Sequence, residues 1–247
     1  MLNNQLLAVA SAAALSLAAI FGAGSASAAS VTITATAPSW SNVVGGTNID
    51  FDTSGTGNSR VTQVFWGQPA SWFGDQSGLG FNPSNPPSAT VQTDTVFQLG
   101  TLTHYNEPIN GGTAASSARL NLSTTISGAV PTTQMFSYQF LIDETPNQTP
   151  CAYPGGSPCA DRITFANLTT SSAFMIGGVP YTIELLGFSS NGGNTINSFF
   201  NSNEGGSNSI GLYGRITAPT PVPEPATFAL LGAGLLGFAA ARRRRQN

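Results

Sequence analysis

His104 is the only imidazole in the chain, so any mechanism that needs a histidine base or a histidine-activated nucleophile must pass through it. Thr103, Asn106 and Glu107 stand close enough along the chain to orient the ring, and a serine from elsewhere could approach it in space. Against a hydrolase, no Gly-x-Ser-x-Gly elbow is present, and serine is too abundant for proximity to discriminate. The spacing predicts instead a turn at a strand end, in which His104 and Asn106 hydrogen-bond backbone and Pro108 begins the next segment. Contact of His104 with a ligand is the alternative, and no residue is assigned a catalytic role.

The carboxylates give little more. Glycoside hydrolysis needs two of them about 5–9.5 Å apart on one face of a cleft. Asp143 and Glu144 are adjacent, so on a strand they point to opposite faces. Asp50 and Asp52 share a face, as two solvated residues commonly do. With Asp143, Glu144 or Asp161 they could supply oxygen ligands to a structural Ca²⁺, although no EF-hand-like spacing is present. One His and two Cys with no cluster joining them make a zinc or haem site hard to build, so no metal ligands are assigned and no cofactor is required.

Aromatic residues offer a different chemistry, the stacking of a flat ring on a sugar. Trp66-Gly-Gln-Pro-Ala-Ser-Trp72-Phe73 leaves a strand and enters a loop, which makes Trp72 and Phe73 the candidate ligand contacts. Core packing explains Trp66 equally well, whereas an exposed Trp-Phe pair is costly unless it touches a partner. Thr32, Thr34 and Thr36 form one hydroxyl row, the kind an ice-binding surface would repeat; a single row reads as a solvated strand face.

The elements that must position these residues are strands. Period-2 alternation marks nine segments: 31–36, 48–52, 61–66, 96–102, 119–126, 136–142, 162–165, 181–185 and 210–213. Gly45-Gly46, Asn110-Gly111-Gly112, Gly155-Gly156 and Asn191-Gly192-Gly193 punctuate them. The pattern predicts an all-β fold, an antiparallel β-sandwich of jelly-roll type, with residues 82–88 as a proline-rich surface loop. Cys151 and Cys159 flank seven residues that include two Gly and two Pro, enough to bend the chain back into a disulfide in an oxidising compartment.

Only 8% of the 247 residues are charged, against roughly 25% in an ordinary globular domain. There are eight Arg and no Lys, and four of those Arg form one block at 242–245. Residues 29–218 hold four Arg against ten carboxylates, a net charge of −6, which excludes nucleic acid as the main partner.

Both ends read as processed segments. Residues 1–28 form a secretory signal peptide: an apolar run from Leu6 to Phe21, then small residues ending in Ala26-x-Ala28. Cleavage by signal peptidase is placed between Ala28 and Ala29. The run lacks an early Lys or Arg, and an uncleaved membrane anchor is the alternative. The ectodomain is 29–218 and the linker 219–225, with Pro223-Glu224-Pro225. Residues 226–247 are a transmembrane helix and tail in which sixteen uncharged residues, Ala226 to Ala241, precede Arg242-Arg243-Arg244-Arg245. Sixteen residues rise ~24 Å, short of the ~30 Å hydrocarbon core unless the arginines snorkel. The positive-inside rule leaves the precursor single-pass in the inner membrane, C-terminus cytoplasmic, with its bulk exported.

A Pro-Glu-Pro motif, a short apolar helix and a terminal Arg cluster, in that order over 222–245, closely resemble the PEP-CTERM sorting signal. That resemblance implies recognition by an exosortase, a membrane-embedded cysteine transpeptidase, and removal of the tail near Pro223-Glu224-Pro225. It further implies a Gram-negative bacterium that makes exopolysaccharide and biofilm. Within the ectodomain, Leu102-Thr103-His104-Tyr105-Asn106-Glu107-Pro108-Ile109 looks like the Thr-His-x-Asn motif of the THxN family and is similar to the choice-of-anchor K domain. Supporting segments are 66–69, 76–81, 143–147 and the Cys pair followed by 161–165, so the resemblance runs from about Val61 to Phe165. It implies an extracellular β-rich domain and assigns no activity. The expected function is a structural or adhesive component of the cell surface or matrix, in contact with exopolysaccharide. A carbohydrate-binding module is the second reading and a His-dependent hydrolase the third.

Overall fold

The computed structural model describes residues 30–55, 61–84, 89–127, 132–154, 159–166, 173–176 and 178–217. The signal peptide, with Ala28 and Ala29, and the C-terminal helix with Pro223, Glu224, Pro225 and Arg242 to Arg245 lie outside the described residues.

Thirteen strands are present: β1 (Ser30–Gly45), β2 (Asp50–Ser54), β3 (Val61–Trp66), β4 (Ser77–Pro83), β5 (Ala89–Gln92), β6 (Val96–Asn106), β7 (Ala115–Ser127), β8 (Thr132–Asp143), β9 (Asp161–Phe165), β10 (Phe174–Ile176), β11 (Val179–Ser189), β12 (Phe199–Ser202) and β13 (Gly206–Thr217). They form two sheets, ordered β12-β9-β8-β7-β1-β5 and β10-β11-β13-β6-β4-β3-β2, and every pairing is antiparallel. The all-β class stands. No helix occurs among the described residues.

Eight of the nine predicted segments fall in strands whose apolar phase turns inward; the ninth, 48–52, reaches strand only from Asp50, in the edge strand β2, which is exposed on both faces. In β3, Thr62, Val64 and Trp66 are buried while Val61, Gln63 and Phe65 face out; in β8, Phe136, Tyr138, Phe140 and Ile142 are buried while Ser137 and Gln139 face out. The inner faces meet in one core, where Trp40 packs edge-on to Phe140 at 5.9 Å and Phe140 meets Phe188 at 6.2 Å. Each large side chain so buried contributes about 1.5–3 kcal/mol.

The outer faces replace charge pairs with uncharged hydrogen bonds. Thr32 and Thr90 hydroxyls meet at 3.2 Å, Asn121 Nδ2 donates to Ser41 Oγ at 2.8 Å, and Ser137 Oγ donates to Asn121 Oδ1 at 2.8 Å. Among the described residues the one ion pair is Arg215 to Glu184 at 2.8 Å, too exposed to contribute more than about 1 kcal/mol.

Strand β4 corrects the expectation of a loop over 82–88 at its start alone, because Asn82 and Pro83 end a central strand and pair with Thr101 and Gly100 of β6, while residues 85–88 lie outside the described residues. Glycines occupy its outward phase for a steric reason. A Cβ on Gly78 would lie 2.5 Å from the Phe65 ring and 2.6 Å from the Val64 carbonyl oxygen. Phe65 of β3 and Tyr105 of β6 are both in register with Gly78, and their rings meet across β4 at 5.3 Å.

Candidate functional site

The turn predicted at His104 is not there. His104 lies within β6, which continues the inward phase of Leu102 through His104 to Asn106 and pairs with β4 and β13 throughout. Thr103 takes the opposite phase and shares a 2.8 Å hydrogen bond with Ser209 on the outer face. The Thr-His-x-Asn segment therefore divides, with its hydroxyl outside and its imidazole and amide inside.

Five strand ends converge around that imidazole. Trp66 ends β3, Asn106 ends β6, Glu144 and Thr145 follow β8, Asp161 begins β9, and Ser202 ends β12, with Glu204 in the turn before β13. His104, Asn106, Trp66, Asp161 and Ser202 have no exposed surface. One ring nitrogen of His104 and one oxygen each of Glu144 and Asp161 lie within 4.8 Å of one another. The Trp66 indole stacks on the His104 ring at 6.3 Å and 24°. Asn106 Nδ2 donates to the Ser202 carbonyl at 2.9 Å and so ties the two sheets together at this end.

Thr145 fixes Asp161: its backbone N–H donates to Oδ1 at 2.7 Å and its hydroxyl reaches the same oxygen at 3.1 Å. Asp161 Oδ2 has no partner, nor do both His104 nitrogens, Asn106 Oδ1, Glu144 Oε2, Ser202 Oγ and both Glu204 carboxylate oxygens. This is a surplus of acceptors. The hydrogens on hand belong to the Trp66 indole, one imidazole nitrogen and the Ser202 hydroxyl. Each uncompensated buried polar atom costs about 1–3 kcal/mol, so the set would consume most of a domain's stability of about 5–15 kcal/mol. Cations, protons or water must make up the difference.

The same burial sets the protonation states. The His104 ring is driven to its neutral form, its pKa lowered to about 3, by desolvation alone. The Glu144 carboxyl is pushed up to about 9, first by burial and then by the negative charges of Asp161 and Glu204; the nearby Trp66 indole, though in no ordinary hydrogen bond, opposes the rise. Burial also raises Asp161, to about 7, against the pull of its two hydrogen bonds from Thr145. Without a cation, the fold holds a neutral imidazole between carboxyls that retain protons near neutrality.

The disulfide between Cys151 and Cys159, Cα atoms 5.1 Å apart, forms as the spacing predicts. It lies in the connection between Glu144 and Asp161. Asp143, the neighbour of Glu144, is on the outside, where it accepts a hydrogen bond from the Tyr153 hydroxyl. Asp50 and Asp52 sit exposed on the edge strand β2 and accept from the Phe51 and Thr53 backbone N–H groups. The five carboxylates weighed for calcium thus form no single site. Glu144 and Asp161 come together, and their third partner is His104, which corrects the expectation that no cluster joins the histidine to other ligand-bearing residues.

On the outer face of β3 and β6, the Phe65 and Tyr105 rings, with Asp75, Gln76 and Glu107, line an open depression of about 350 Å³. Gln63 Nε2 donates to the Tyr105 hydroxyl at 2.6 Å. The loop joining β3 to β4 borders it and carries Trp72 and Phe73, which are 93% and 94% exposed. Gln76 Nε2 pins the base of that loop through the Asn48 and Gly67 carbonyls at 2.7 and 3.1 Å.

The tail supplies the remaining functional evidence. Residues 221–245 match the PEP-CTERM protein-sorting motif. The PEP-CTERM match marks an exported protein processed by an exosortase at the membrane. It covers the tail and does not extend to the THxN or choice-of-anchor K resemblance of the β-sandwich. No curated protein matches the chain.

Glu204, Ser202 and the inward side of Trp66 were not singled out as site residues by the sequence. Their signal was faint: a carboxylate in an Asn-Glu-Gly-Gly turn and a serine closing a short strand look like solvated surface.

Proposed function

We propose that the protein is an exported structural or adhesive component of the cell surface or extracellular matrix, and that it contacts polysaccharide through the Trp72–Phe73 loop and the adjoining depression. The observation that carries this reading is the pair of consecutive aromatic residues held more than nine-tenths in solvent on the loop whose Asp75 and Gln76 line a depression floored by two further rings. Exposed rings cost free energy unless a partner covers them. Aromatic faces beside carboxylates and an amide are the chemistry that recognises a sugar, apolar on its C–H face and hydroxylated at its rim. A low-charge, hydroxyl-rich surface suits neutral polysaccharide, and the sorting motif supports a place outside the cell. The reading contains no catalytic step; complete burial of the only imidazole supports that.

Co-sedimentation of the exported protein with the host's own matrix polysaccharide tests it. Saturable binding that weakens at least about tenfold, ~1.4 kcal/mol, in Trp72→Ala is expected. Absence of binding, or binding indifferent to Trp72 and Phe73, would leave the loop without this role.

A further inference from the structure

We infer that His104, Glu144 and Asp161 hold a divalent transition-type cation between the two sheets, with Zn²⁺ as the representative ion. An acidic pair alone would not carry this. The independent observation is the imidazole, which has no exposed surface, bonds to nothing through either nitrogen, and places one of them within 4.8 Å of both carboxylate oxygens. Ligands on one tetrahedral Zn²⁺ at about 2.0–2.2 Å stand about 3.3–3.6 Å apart, so atoms that lie within 4.8 Å of one another would draw in by at most about 1.5 Å on binding.

Charge and donor type select the ion. Two ionised carboxylates and a neutral imidazole neutralise a divalent cation, which is what a largely buried site requires. Calcium takes six to eight oxygens and makes little use of imidazole, whereas one nitrogen with carboxylate oxygens suits the borderline ions. The surroundings already look like the outer layer of such a site. Thr145 occupies Asp161 Oδ1 and leaves Oδ2 for the ion, and the Trp66 indole N–H lies near Glu144. The Glu204 carboxyl, half-buried, near Asn147 and close enough to act on both Glu144 and Asp161, offers a third oxygen, and it completes a neutral site only as the protonated acid, with water as the alternative fourth ligand.

Zinc titration of the full chain, stripped with a chelator and held in mild detergent, tests the inference by calorimetry and thermal melting. One Zn²⁺ per chain is expected, with Tm rising on the order of 5–10 °C at saturation. Affinity should fall at least tenfold in both His104→Gln and Asp161→Asn. Zinc-edge X-ray absorption of the wild-type protein should show one imidazole and oxygen scatterers with no sulfur, and this readout decides the matter even if a variant folds poorly. Substoichiometric uptake, equal affinity for Ca²⁺, affinity unchanged in the variants, or an absorption spectrum without imidazole would each overturn the site and leave shared protons or water as the compensating groups.

Discussion

Phe65 and Trp66 are consecutive residues, as are His104 and Tyr105, yet each pair divides between two regions with opposite chemistry. Outside, Phe65 and Tyr105 meet across Gly78, and the tyrosine hydroxyl already has Gln63 as its partner. Inside, Trp66 stacks on His104, and the polar atoms around them outnumber the hydrogens they could share. The outer region is finished apart from a surface it shows to solvent. The inner region is buried but chemically incomplete. A strand's period of two residues lets one stretch of chain build both, and it means that substitutions one position apart should read out in different experiments.

The largest effect expected is on the inner side. Trp66→Ala should cost about 3–5 kcal/mol in denaturant unfolding, the usual toll for a fully buried large aromatic; a loss near that of Phe65→Ala would erase the distinction between the faces. Next is the covalent tie on the connection from Glu144 to Asp161. Opening Cys151–Cys159 with paired serines releases a short loop and should cost about 2–3 kcal/mol by the same measurement.

A pH series on chelator-treated protein should give a somewhat smaller change with a definite sign. Folded Asp161 and Glu144 keep their protons to about 7 and about 9, whereas the unfolded chain gives them up near pH 4. Between those limits the folded state binds more protons, so raising the pH from 7 to 9 should lower stability by roughly 2 kcal/mol. His104 works in the other direction only below its ordinary value of 6.5 and leaves that window untouched. Added Zn²⁺ should flatten the profile by holding both carboxylates ionised, and a flat profile in the chelated protein would contradict the burial of these groups. The smallest effect belongs to the loop, where Trp72→Ala should leave stability within about 0.5 kcal/mol, so any loss of polysaccharide binding is a loss of contact rather than of fold.

How legible all this was in the sequence depended on which cue each residue obeyed. Strands such as β3 and β8, with apolar side chains in one phase and polar in the other, could be read directly. Strand β4 could not, because its outward phase is Gly78 and Gly80, chosen for the rings that cross over it rather than for any strand preference. Strands β5, β10 and β12 are three or four residues long, too short for a period to show. The site was hidden by the rule that polar residues face water. His104 and Asn106 carry the inward phase of β6 with polar side chains, so the apolar alternation stops at Leu102 and the rest reads as a turn before Pro108. Glu144 and Asp161 stand out as carboxylates, but bringing them to His104 requires the register of two sheets, which no local pattern contains.

Strand β13 lies inside its sheet, flanked by β11 and by β6, whose Asn106 pairs with Gly206 a hundred residues later. A chain made from its N-terminus forward therefore cannot close this sandwich early. Until β13 is delivered, the seven-stranded sheet is two separate fragments, β10-β11 and β6-β4-β3-β2. Only sixteen residues separate Glu204 from the start of the sorting motif at 221. The last strand that the seven-stranded sheet needs thus lies just ahead of the sorting motif, so closure of the sandwich is non-local and draws on almost the whole ectodomain.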